Sequence, residues 1–125
     1  MTIINSVLIA NRGEIAIRIS KTLNEMGIKA YGIYSKDDSS SAHLSYCSEV
    51  FELNGTGPSA YLNIDEIISL AKSKKIKAVH PGYGFLSENH AFAASCAKND
   101  IIFIGPNEKT CLLYTSDAAD DVECV

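Results

Sequence analysis

The succession of strand, turn and helix is plainest in Ile76-Lys77-Ala78-Val79-His80-Pro81-Gly82-Tyr83-Gly84-Phe85-Leu86-Ser87-Glu88-Asn89. It opens on a short apolar run suited to a buried strand and leads into an apolar pattern from Phe92 to Ala97 that suits a helix. Between the two, Gly82 and Gly84 flank Tyr83. Glycine has no Cβ, so the backbone can come close to a ligand while the tyrosine ring stays beside it. Ser87 stands where a helix N-cap is expected.

The same order recurs on either side. Ser6-Val7-Leu8-Ile9-Ala10 reads as a buried parallel strand, Asn11-Arg12-Gly13 as its turn, and Ile15, Ile19, Leu23 and Met26 as one face of a helix that stops at Gly27. A strand over 30–34, a polar turn-rich segment over 35–41, a short helix over 42–47 and a strand over 49–53 follow. After the loop 54–58, Ile64, Ile67, Ile68 and Ala71 make another helix face with Asn63 as its cap. The strand 76–80, the helix 88–99 and the strand 101–104, ended by Gly105-Pro106, complete the run. Strands alternating with helices predict an α/β domain: a Rossmann-like parallel sheet of about five strands with helices on both faces.

All 11 Lys and Arg lie before position 111, whereas Asp117, Asp120, Asp121 and Glu123 lie after it. The formal charge of −4 therefore sits in the tail, and residues 1–110 are formally neutral. That balance offers no nucleic-acid surface, and the short cluster Lys72, Lys74, Lys75 and Lys77 reads as a solvated helix end. No apolar run reaches the ~20 residues of a membrane span, and no secretory signal pattern is visible, so a cytoplasmic protein is expected. The four cysteines lack C-x-x-C spacing, and His43 and His90 lack metal-binding context. No metal site is expected, and Cys96 reads as a small core residue.

The outline is also that of a dinucleotide site, which needs G-x-G-x-x-G at the first turn. Only Gly13 stands there, and Tyr34-Ser35 occupy the end of the second strand where an acid would hold a ribose, Asp37 coming late. Gly13 reads instead as letting the first helix pack close to the sheet. Glu14 suits a first helical turn, and Arg18, four residues on, can pair with it for a few tenths of a kcal/mol. His80 reads as a strand-end residue that bonds a loop rather than as a catalytic base.

Two runs, Ala10-Asn11-Arg12-Gly13-Glu14-Ile15-Ala16-Ile17-Arg18-Ile19 and the segment 80–89, together with Tyr61-Leu62-Asn63-Ile64 and Phe103-Ile104-Gly105-Pro106, carry a resemblance to one family. Over roughly residues 4 to 108 the chain resembles the N-terminal domain of biotin carboxylase, a pre-ATP-grasp domain. The resemblance implies a parent enzyme that activates bicarbonate with ATP and Mg2+ and carboxylates biotin on a carrier domain. It implies that Tyr83 and Gly84 touch biotin and that Arg18 lies at a homodimer interface. It places no catalytic residue and no ATP or magnesium site in this segment, so the segment alone is expected to be inactive. The implied partners are the biotin carboxyl carrier domain and a carboxyltransferase component, with no nucleic acid or membrane. Two alternatives stay open on the residues: the front domain of another ATP-grasp ligase, such as carbamoyl-phosphate synthetase, and a free-standing Rossmann-like binding module. The tail 111–125 has a different character. Codons for Cys111 to Asp121 can spell a library-preparation adaptor, so a domain over 1–110 and a non-native, disordered tail over 111–125 are expected.

Overall fold

The computed structural model describes residues 4–82, 86–87 and 89–104. Within them five strands, β1 (Ser6–Ile9), β2 (Lys29–Tyr34), β3 (Glu49–Glu52), β4 (Ala78–His80) and β5 (Ile102–Phe103), form one sheet in the order β3-β2-β1-β4-β5. All four pairings are parallel, with Val7 opposite Ala30 on one side and Ala78 on the other. Parallel strands need covering on both faces, and successive side chains of β1 show how it is done. Val7 and Ile9 pack in a cluster with Ala16 and Leu23 of α1 (Gly13–Glu25). Leu8 and Ala10 point into a larger cluster with Ile67 and Ile68 of α2 (Ile64–Ser73) and Phe92 and Cys96 of α3 (His90–Lys98). The expected α/β sheet with helices on both faces is therefore the fold.

Several boundaries differ from the sequence reading. Met26 is 65% exposed rather than part of the buried face of α1, because it is the C-cap residue beyond the last turn. Glu14 and Arg18 are both exposed and form no ion pair among the described residues. The segment expected as a short helix is a 3-10 turn, Ala42–Tyr46; a second such turn, Lys36–Asp38, lies in the polar turn-rich segment, and a third, Pro58–Leu62, starts at the end of the loop 54–58.

Strands β4 and β5 start later than expected, for one reason. The amide of Ile76 donates to Ala71 O (2.8 Å) and that of Ile101 to Cys96 O (2.9 Å), as Ile28 does to Leu23 O (2.9 Å). Each is the closing bond of a Schellman motif, in which the residue before it turns left-handed. At the first junction that residue is Gly27, but at the others it is Lys75 (φ 57) and Asp100 (φ 59).

The cap of α3 is also displaced. Asn89, not Ser87, accepts the Phe92 amide at 3.1 Å, while Ser87 is buried. Asn63 caps α2 as expected, accepting from the Glu66 amide at 3.1 Å.

Candidate functional site

The chain leaves β1 toward β2 on one side of the sheet, while β4, its neighbour on the other side, continues to β5. Ligands of open α/β sheets bind in the crevice that such a reversal leaves outside the carboxyl ends of the strands. Here that crevice is bordered by Asn11 and Arg12 after β1, Asp37 and Asp38 after β2, and His80, Pro81 and Gly82 at the end of β4.

The two central loops interlock. Asn11 is 2% exposed, and its Nδ2 donates to Pro81 O at 2.6 Å. Its Oδ1 accepts the Arg12 amide at 2.7 Å. Gly82 has φ +67, where a side chain is strained, and a Cβ there would lie 2.7 Å from Asn11 Nδ2. The room left by the missing side chain is thus taken by Asn11. The reading of Gly13 is corrected: a Cβ would meet nothing within 4 Å, and its φ of +73 is what favours glycine there. His80 Nδ1 accepts the Gly82 amide at 3.1 Å, which puts the ring proton of the neutral histidine on Nε2. Burial pushes the His80 pKa below its ordinary value and keeps it neutral.

A second cluster lies beside Arg12. Its guanidinium meets Asp38 through Nε (2.6 Å to Oδ2) and a second nitrogen (3.0 Å to Oδ1). The hydroxyl of buried Tyr61 donates to Asp38 Oδ2 at 2.8 Å and accepts the Ser35 amide at 3.1 Å. Asp38 therefore stands near where a dinucleotide site would keep its acid, but its oxygens are already engaged by Arg12 and Tyr61. Asp37 accepts from Ser35 Oγ (2.7 Å) and the Gly57 amide (3.0 Å) and ties the loops after β2 and β3 together. Buried His43 donates from Nε2 to Ile33 O (3.0 Å), and burial keeps it neutral. None of these roles was legible in the sequence. Asp38 lies in a polar turn-rich segment and His43 in a short helical one, neither of which announces a distant partner, and Tyr61 was visible only as part of a resembling tetrapeptide.

The Arg12 hydrogen bond, with help from Tyr61, holds the Asp38 carboxyl down to about 2 from its ordinary 3.8. The unfolded chain binds that proton more tightly, so this stabilisation is whole above pH ~4 and is lost as the pH falls from there toward 2. Arg12 is 44% exposed, so solvent screens the pair and its worth is about 1 kcal/mol. Urea unfolding at pH 7 and pH 2.5 should show Asp38→Asn losing about 1 kcal/mol less than the parent on acidification. Equal losses would contradict this account.

Of the residues singled out from sequence, Arg18 is exposed on α1, and Cys96 is fully buried, its thiol pushed up to about 12 by burial. Tyr83, Gly84 and the tail from 111 lie outside the described residues. Among the described residues no group of three or more His, Cys, Asp and Glu could hold a metal ion, and no helix is long and apolar enough to cross a membrane.

Comparison with known proteins gives this geometry a family. The model of the biotin carboxylase N-terminal domain matches residues 3–111. Pyruvate carboxylase of Bacillus subtilis (strain 168) is 50% identical over 109 residues, which are 85% of this chain and 9% of that protein. The mitochondrial methylcrotonoyl-CoA carboxylase subunit alpha of Rattus norvegicus is 49% identical over 105 residues, 82% of this chain and 14% of its own length. The biotin carboxylase domain dimer of the Hydrogenobacter thermophilus 2-oxoglutarate carboxylase, crystallised with MgADP, ADP and bicarbonate, is 39% identical with a TM-score of 0.86. It covers 90% of this chain, and the chain covers 25% of it. The chain thus spans a small part of the proteins it matches.

Proposed function

The chain belongs to the biotin carboxylase N-terminal domain family, and from that membership we propose that it is the front part of an ATP-dependent enzyme that carboxylates biotin with bicarbonate. The observation that carries the reading is the match over residues 3–111, which includes the crevice between β1 and β4. It favours the carboxylase over the carbamoyl-phosphate synthetase-like and free-standing alternatives. In the parent, ATP and Mg2+ supply the activation of bicarbonate, and biotin supplies the nitrogen that receives the carboxyl group. From the same membership, ATP and Mg2+ are assigned to parts of the parent beyond this chain.

What this chain contributes is a wall. The interlocked loops after β1 and β4 form a floor with neutral His80, beside which Asp38 is bound by Arg12 and Tyr61. Tyr83 and Gly84 follow directly from that floor, and we assign them to contact with the biotin ring system. Arg18, exposed on α1, is assigned to a homodimer interface of the parent. A carrier domain bearing biotin and a carboxyltransferase are the proposed partners, and the cytoplasm the proposed location.

The test is Tyr83→Ala in the complete enzyme. An aromatic contact is worth about 1 kcal/mol, so the KM for free biotin should rise about fivefold while the KM for ATP stays put. Equal losses for both substrates together with a lower melting temperature would make Tyr83 a packing residue and remove this support for the reading.

A further inference from the structure

We propose that Asn11 and His80 are positioning residues that lock one peptide group, Pro81–Gly82, and so set the direction in which the chain leaves β4 into the crevice. The proposal rests on the reading of that crevice as the biotin-facing wall.

Pro81 C=O and Gly82 N–H are the two ends of a single planar unit. The carbonyl accepts from Asn11 Nδ2 at 2.6 Å, and the amide donates to His80 Nδ1 at 3.1 Å. Asn11 follows β1 and His80 ends the neighbouring β4, and the two are joined by the Ala10 amide donating to His80 O at 2.9 Å. The clamp therefore spans the place where the strand order reverses.

The clamp admits one orientation. If the peptide turned over, Gly82 N–H would face Asn11 Nδ2, a donor against a donor. Pro81 O would face His80 Nδ1, an acceptor against the lone pair of a neutral ring. Asn11 cannot swing its amide to compensate, because its Oδ1 is held by the Arg12 amide at 2.7 Å and the side chain is enclosed. Nor is there room for Gly82 to shift toward Asn11: a Cβ there would already be 3.3 Å from both Cβ and Cγ of Asn11. Aspartate at position 11 would fill the same volume without donating, and a hydrocarbon at position 80 would leave the Gly82 amide without its acceptor.

The experiment compares Asn11→Asp, His80→Leu and His80→Asn in the complete enzyme, with Tyr83→Ala alongside. His80→Asn keeps an acceptor near the place of Nδ1. The readouts are the KM for free biotin, the KM for ATP, and deuterium uptake by the peptide spanning 81–86. Loss of a buried hydrogen bond should raise the biotin KM about tenfold in Asn11→Asp and His80→Leu and speed uptake by a similar factor, with the ATP KM within about twofold. His80→Asn should stay near the parent. Equal rises for both substrates, unchanged uptake, or His80→Asn as damaging as His80→Leu would overturn the proposal. If Tyr83→Ala leaves biotin use untouched, the biotin reading fails, and the clamp then stands or falls on deuterium uptake alone. Should Asn11→Asp not fold, the two His80 variants decide.

Discussion

Gly82→Ala is expected to lower the melting temperature of this chain by roughly 15 °C. Two costs add. The native φ of +67 is strained for any residue with a Cβ, at about 1–2 kcal/mol. The new carbon would also lie 2.7 Å from Asn11 Nδ2, and overpacking against a side chain that cannot move costs about 1–3 kcal/mol. Asn11 is that kind of neighbour, enclosed and bonded at both ends of its amide. A thermal melt of the single variant tests the claim; a midpoint within ~3 °C of the parent would show that the loop can absorb the methyl group.

Phe92→Ala should cost more, about 3–5 kcal/mol. Phe92 is fully buried, and its ring meets Phe103 edge-on with centroids 5.8 Å apart, so α3 and β5 share one packing unit. Its amide is also the donor that Asn89 caps in the first turn of α3. Truncation would leave a cavity between α3 and the sheet. Given the ~5–15 kcal/mol by which domains are stable, chemical denaturation should show a midpoint lowered by about a fifth of the parent value or more, or no cooperative transition. A loss under ~1.5 kcal/mol would mean that the core closes over the gap.

The apolar runs, the helical spacing of α2, the Asn63 cap and the alternation of strand and helix were all readable, because each is a local pattern repeated over several residues. What was not readable depends on distant partners. Ser87 and Asn89 are equally good caps in isolation; the choice falls to Asn89 because Ser87 is drawn into the interior. Lys75 and Asp100 gave no sign of the left-handed turns that shorten β4 and β5, since only the first of three equivalent junctions carries the glycine that announces it. At the crevice, Asn11 and Gly82 could each be picked out as unusual, yet nothing local says that one occupies the space the other vacates. The pairing of Arg12 with Asp38 crosses 26 residues and needs the sheet order before it can be seen.

The position of β1 in the middle of the sheet has a bearing on synthesis. Ser6–Ile9, with four buried residues, leaves the ribosome before its neighbours in the sheet and can pair with β2 after a short helical connection. Its other edge must wait for Ala78–His80, and the Asn11 amide for a carbonyl 70 residues further on. At ~5–20 residues per second that wait is roughly 4–14 s. During it a nascent half-sheet of β1, β2 and β3 exposes an unpaired apolar edge, and closing the long connection to β4 repays its entropy only when the whole second half docks. The strand that later anchors the crevice is thus the one most open to pairing with the wrong chain while the protein is being made, and a chaperone that shields a nascent edge would act on this segment first.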